Sequence, residues 1–170
     1  MELLFTLDSK NYTEDMPVFE RFGVRALICK DGLWAMQQSK FGDYKIPGGG
    51  VEKGETYHDA LHREVLEETG LHVIEDSIKE IGEALEVRRD NFVPNQKYIA
   101  HSYFYFCEVD DMVSEVALTE SEKRFEYKLA WATLDDIIAT NQEVIKEAWQ
   151  NRDLKFLLWL REYLKEQGRL

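Results

Sequence analysis

Apolar and polar positions change period several times along this chain, and each change predicts an element. Residues 3–7 read as a short strand in an otherwise mixed stretch that reaches residue 22. Residues 24–29 and 33–37 are apolar runs of strand length flanking Asp31-Gly32, a pair that favours the backbone of a tight hairpin. From Thr56 to Thr69 the period lengthens to that of a helix, with Leu61, Val65 and Leu66 turned toward a core. Residues 72–75 form a weak strand, and 84–89 and 98–109 bracket the turn residues 91–95. The 98–109 run carries Ile99, Tyr103 and Tyr105 on one face and Phe104 and Phe106 on the other, which predicts a central strand covered on both sides. Residues 128–132 are a last short strand, and helices are predicted over 134–139, 143–149 and 153–167. Strands interleaved with helices imply the α/β class, with helices on both faces of a sheet.

Two of these helices announce their starts. Thr56 with Asp59, and Thr133 with Asp136, have the spacing of a capping box, in which side chains satisfy the free N–H groups of the first turn. Gly70 suits the left-handed stop just past the end of the first helix. On a helical period Glu64, Glu67 and Glu68 stand at i, i+3 and i+4, so their carboxylates share one face. Left alone, that face is unfavourable. Each like-charge pair costs about 0.2–0.5 kcal/mol, and anions in the last turn oppose the helix dipole by about 0.3–1 kcal/mol each. An oxygen-only cluster is what a hard divalent cation takes, and Mg²⁺ bound in this way keeps waters and bridges to substrate phosphates. A solvated acidic face is the plainer use of the same residues. Ahead of the helix, Tyr44-Lys45-Ile46-Pro47 runs into Gly48-Gly49-Gly50, where backbone can approach a ligand without interference from Cβ.

The same helix carries His58-Asp59-Ala60-Leu61-His62, close to the zinc-protease pattern H-E-x-x-H. Asp59 is a methylene shorter than the glutamate base of that pattern and is better used as the capping partner. Both histidines project away from the three-glutamate face, so they are expected at the surface.

Residues 49–71 match the pattern G-x5-E-x7-R-E-U-x-E-E-x-G-U, with U apolar, at every specified position. Gly49, Glu55, Arg63, Glu64, Val65, Glu67, Glu68, Gly70 and Leu71 carry the match. Chance agreement has a probability of roughly 10⁻⁸ or lower at average composition. The pattern is the Nudix box, and the chain resembles the Nudix (MutT-like) pyrophosphohydrolases. The resemblance implies an α/β/α sandwich with a mixed β-sheet, as one domain over residues 1–170. It implies Mg²⁺, or Mn²⁺, held by Glu64, Glu67 and Glu68 and by a carbonyl of the glycine run, Gly48 by position or a neighbour. Arg63 resembles the arginine that orients the glutamates, and an ordinary ion pair with Glu67 is its other use. Members of the family differ over the general base. Some use the residue matching Glu64, others a glutamate on a loop far beyond the box. The loop candidates here are Glu120, Glu122 and Glu126, and Glu126 lies nearest the strand that should fix its position.

The implied reaction is metal-dependent hydrolysis of a phosphoanhydride bond in a nucleoside-diphosphate-linked small molecule, most simply a nucleoside triphosphate. ADP-ribose or a nucleotide sugar is the alternative substrate. A catalytically silent nucleotide-binding regulatory module is the alternative from another class, although such modules commonly lose box glutamates that this chain keeps. Arg25, Lys45 and Arg89 are the basic side chains expected to hold phosphate, with a solvated strand edge as the other use of Arg89. Arg88 and Arg89 are strand neighbours and point to opposite faces, so only one can enter a given pocket.

Composition adds boundaries. A formal net charge of −12 argues against broad contact with a nucleic-acid backbone, whereas bound cations would reverse the local field for a phosphate-bearing substrate. With 44% hydrophobic residues, 170 residues can bury one core. Cys29 and Cys107 lie in apolar runs and are expected as buried, unpaired thiols. No charged-then-apolar leader opens the sequence and no run of about 18 apolar residues occurs, so no membrane partner and a cytoplasmic location are expected. The terminal helix is apolar over so wide a surface that it either caps the core or also makes a homodimer contact.

Overall fold

The computed structural model describes residues 1–145 and 151–169, with Asn151 as backbone alone. In chain order the elements are β1 (Leu3–Asp8), β2 (Val18–Leu27), β3 (Cys29–Lys30), β4 (Leu33–Gln38), β5 (Tyr44–Lys45), α1 (Tyr57–Thr69), β6 (Leu71–Val73), β7 (Lys79–Arg89), β8 (Lys97–Phe106), β9 (Val109–Val113), α2 (Glu120–Phe125), β10 (Lys128–Ala132), α3 (Leu134–Val144) and α4 (Asn151–Glu166). One sheet runs β1-β7-β8-β2, with β1 parallel to β7, β7 antiparallel to β8 and β2 parallel to β8. A second runs β10-β4-β3, with β5 added to β4, and β6 pairs with β9. The sheet is mixed, as expected.

Two apolar layers hold the helices to the strands. On one side Val24, Ala26, Ile28 and Tyr105 meet Ala60, Leu61 and Val65 of α1. On the other, Leu27, Trp34, Met36 and Phe104 meet α3 and α4, and the Phe104 and Phe156 rings stack 3.6 Å apart. Alternation along β2 sends successive side chains to opposite layers, which is why its inner half reads as an unbroken apolar run. Burying each large side chain contributes about 1.5–3 kcal/mol. This is an α/β/α sandwich. The apolar face of α4 is spent on the core through Phe156, Leu157, Leu160 and Leu164.

Several boundaries differ from the sequence expectation. β2 begins at Val18; its outer half lies exposed at a sheet edge, and Glu20 and Arg21 interrupt its apolar residues. The 98–109 run is two strands, β8 and β9, and β9 turns away to pair with β6. α2 occupies a stretch read as loop, and α3 continues to Val144. The predicted 143–149 helix falls largely on 146–150, outside the described residues. Asp31 (φ 52°) and Gly32 (φ 78°) make the expected hairpin. Cys107 is buried, which pushes its thiol up to about 12. Cys29 is exposed, against expectation, because β3 is a two-residue strand at a sheet edge.

Candidate active site

The glycine run is laid along β2 and fastened from the α3–α4 layer. The N–H of Val24 donates to Gly49 O (2.9 Å), that of Ala26 to Pro47 O (2.8 Å), and that of Val51 to Phe22 O (2.9 Å). Gly48 has φ +134°, and a Cβ there would fall on the Val24 carbonyl; a Cβ on Gly49 would fall on the Glu64 carboxylate. From α3, buried Asn141 accepts the Tyr44 N–H at 2.7 Å and donates to Tyr44 O at 2.9 Å. From α4, buried Asp153 accepts the Ile46 N–H at 3.1 Å. These anchors bring Lys45 and Gly48 to the C-terminal half of α1.

The helix itself is bounded as its sequence dictates. Thr56 and Asp59 form the full capping box, and Gly70 closes the helix at φ 72°. At the second box Thr133 accepts from the Asp136 N–H, while Asp136 takes the Thr133 hydroxyl in return. His58 and His62 are partly exposed and share Glu75, at 2.7 and 2.6 Å. That placement agrees with a surface role.

Arg63 is a hub. Its Nε and Nη2 grip both oxygens of Glu55 at 2.6 and 2.8 Å, Nη2 also donates to Gly50 O at 2.9 Å, and Nη1 reaches Glu64 at 2.8 Å and Glu67 at 3.5 Å. Such a fork is geometry that lysine cannot supply. Its hydrogen bonds hold the Glu55 carboxyl down at about 2. The guanidinium thus does more than pair with Glu67: it ties the glycine loop, Glu55 and two box carboxylates into one unit.

Glu68 sits in a different environment. Its side chain is 3% exposed, against 41% for Glu67. Lys45 Nζ donates to Oε1 at 3.1 Å and the Gly48 N–H to Oε2 at 2.7 Å. Buried Gln37, with its amide nitrogen turned inward, donates to both oxygens at 3.2 Å. Burial nevertheless pushes the Glu68 carboxyl up to about 7, against the pull of Lys45 and Gly48, and a hydrogen bond shared with Glu122 adds to the rise.

Of the three loop glutamates, Glu122 joins this group. It lies 3.8 Å from Lys45 Nζ with a side chain 15% exposed. Burial raises its pKa, but hydrogen bonds from Thr119 and from Glu68 leave it lowered on balance. Thr119 and Glu122 form a capping box that starts α2 and aims the carboxylate. Glu126 is the left-handed C-cap of α2 and turns outward to Lys40, 68% exposed, and Glu120 pairs with Lys123. Glu122, rather than Glu126, is thus the loop glutamate that lies beside Lys45 and Glu68. Nearness to β10 along the chain matters less than the helical turn that points Glu122 inward.

The basic residues also divide. Lys45 is in the site and Arg25 is buried beside it, whereas Arg89 is exposed and donates to Asn95 Oδ1. Its neighbour Arg88 takes the other face, bonded to Glu86 at 2.7 Å and stacked over Tyr98. Arg21, Gln37, Asn141, Arg152 and Asp153 were not singled out in the sequence. Only the Thr119-x-x-Glu122 spacing offered a readable signal for a missed group.

In kind, the donor set suits a hard cation: carboxylate and main-chain oxygens without sulfur. Among the described residues no three acidic, histidine or cysteine side chains stand close enough to grip one ion together. Glu64 and Glu67 lie on Arg63, and Glu68 lies on Lys45. Glu68, buried and incompletely compensated, is where a further positive charge is wanted most.

Known proteins bear on this geometry. The NUDIX domain profile matches residues 20–160. The chain is 29% identical over 122 residues to the Nudix hydrolase YvcI of Bacillus subtilis (strain 168), covering 72% of this chain and 71% of that one. A Nudix hydrolase structure from Nitrosomonas europaea superposes with a TM-score of 0.57 at 20% identity, over 77% of this chain and 83% of that one. A structure described as an ADP compounds hydrolase superposes with a TM-score of 0.58 at 18% identity, over 88% and 76%. The chain belongs to the NUDIX family and is a Nudix hydrolase. Enzymes of this family generally use divalent cations and act on small nucleotides. Among the described residues no helix is long and apolar enough to cross a membrane.

Proposed function

We propose that the protein hydrolyses a phosphoanhydride bond of a nucleoside-diphosphate-linked substrate, most simply a nucleoside triphosphate, with Mg²⁺ or Mn²⁺. The observation that carries this reading is the complete box, with Glu64 against Gly49, Glu68 on the Gly48 N–H and Glu67 reached by Arg63. Those three carboxylates, with a main-chain oxygen near Gly48, would hold the cation. When bound, the ion would stabilise charge on phosphate oxygens and lower the pKa of attacking water.

The chain's own groups supply the rest. Arg63 ties Glu64 to the loop and reaches Glu67 at 3.5 Å, so part of the acidic face is held in place before substrate arrives. Lys45 carries positive charge into a nearly dry site, where it can meet a phosphate oxygen once Glu68 has another partner. Glu122 is the loop carboxylate placed to accept a proton from water, and Glu64 is the candidate within the box. Release of mononucleotide or pyrophosphate from a panel of nucleoside triphosphates, ADP-ribose and nucleotide sugars, with and without Mg²⁺, tests the reading. Cation-dependent turnover of one panel member is expected; no turnover of any of them contradicts it.

A further inference from the structure

On the α4 side of β2 and β8, next to the glycine loop, lies a small open cleft of about 30 Å³. Three of its walls are arginines: Arg21 and Arg25 from β2 and Arg152 from the start of α4. Gly23 lies between the two strand arginines with Ser102 opposite it, and Tyr98 and His101 of β8 complete the lining. Gly49, another wall, is the residue against which the Glu64 carboxylate packs. The cleft and the acidic face thus share Gly49.

The charges in it are poorly compensated. Arg152 is bonded to Asp153 at 2.9 and 2.7 Å. Neither Arg21 nor Arg25 makes an ion pair among the described residues. Arg25 is 8% exposed; one nitrogen donates to the Val24 carbonyl at 3.1 Å, and its Nε has no hydrogen-bond partner among the described residues. Burial and the neighbouring Arg152 pull its pKa down to about 10, against Asp153 and Glu68. An orphaned donor on a buried cation is costly unless a ligand completes it. The fork geometry of guanidinium groups matches phosphate oxygens.

We propose that Arg21, Arg25 and Arg152 form an anion subsite that takes a phosphate of the substrate lying beyond the two joined by the scissile bond. The inference rests on the hydrolase reading and narrows it. Nucleoside triphosphates and other substrates with an additional phosphate fill the subsite, whereas ADP-ribose and neutral nucleotide sugars leave it without an anion.

Inorganic tripolyphosphate, titrated calorimetrically into the protein in EDTA, tests the subsite without catalysis. The parent should bind it, more weakly as salt rises. Arg21→Gln, at an exposed position that leaves the core intact, should weaken binding about tenfold, the scale of one lost charge-assisted hydrogen bond. Arg25→Lys should weaken it too, since lysine keeps the charge but not the fork. In turnover, Arg21→Gln should raise KM for a triphosphate about tenfold with kcat little changed, and leave KM for ADP-ribose in place. Tripolyphosphate affinity equal to the parent's in Arg21→Gln would overturn the subsite, as would guanosine competing as well as tripolyphosphate. Arginine-dependent tripolyphosphate binding by a protein that turns over no nucleotide would sink the hydrolase reading alone. An enzyme whose KM for a triphosphate is unchanged by Arg21→Gln would sink the subsite alone.

Discussion

Glu67 and Glu68 are adjacent in sequence, identical in chemistry, and held in opposite ways. Glu67 is 41% exposed and only touches Arg63 at 3.5 Å, while Glu68 is 3% exposed and has Lys45, Gly48, Gln37 and Glu122 around it. One helical step of about 100° carries a carboxylate from water into a closed polar pocket. Solvation, more than residue type, thus divides labour within the acidic face. A hydrated carboxylate can adapt to a ligand at small cost, whereas a buried one is committed to whatever positive charge its surroundings deliver.

Glu68→Gln should have the largest effect on catalysis. The substitution keeps the shape and removes the charge, so turnover should fall by about two orders of magnitude or more with folding retained, as judged by circular dichroism and steady-state rates. A rate within threefold of the parent would erase the distinction between the two glutamates. Arg63→Ala should come next, with about a 10–100-fold loss, because groups that orient a cation's ligands act on that scale. Glu55, Glu64 and Glu67 would all lose their shared donor. Glu122→Gln should lower kcat by at least about tenfold as a general base would, with Glu126→Gln near parental. Equal effects from the two would mean that Glu122 owes its position to the α2 cap alone.

The pH dependence is smaller and has a definite sign. Glu68 is raised from its ordinary value to about 7, so the folded state binds its proton more tightly than the unfolded chain does. The stability this gives is fully present below about pH 4.5 and is lost as pH rises through about 7. For the cation-free protein, the difference in melting temperature between Glu68→Gln and the parent should therefore grow in favour of the variant from pH 5 to pH 8, corresponding to about 1–3 kcal/mol. A pH-independent difference would contradict burial as the dominant influence on Glu68.

Legibility in the sequence followed the same division. The box helix was readable to the residue, since its caps, its apolar side and its glutamates are all local signals. The Lys45 end of the site depends on Asn141 and Asp153, which reach β5 and the loop from α3 and α4 across long separations, and no period or motif marks a buried anchor of that kind. Arg152 was hidden for the same reason, within a helix whose pattern speaks only of core. The outer half of β2 was missed because Glu20 and Arg21 split its exposed apolar residues into no readable period. α2 was legible in principle, since Thr119 and Glu122 have the spacing already used at Thr56 and Asp59.

Mn²⁺ titration followed by electron paramagnetic resonance, on the parent and on Glu67→Gln and Glu68→Gln, tests the cation role of the acidic face most directly. The parent should bind Mn²⁺, with Glu68→Gln weakened about tenfold or more and Glu67→Gln less so. Identical affinity in all three proteins, or no binding by the parent with substrate present, would contradict it.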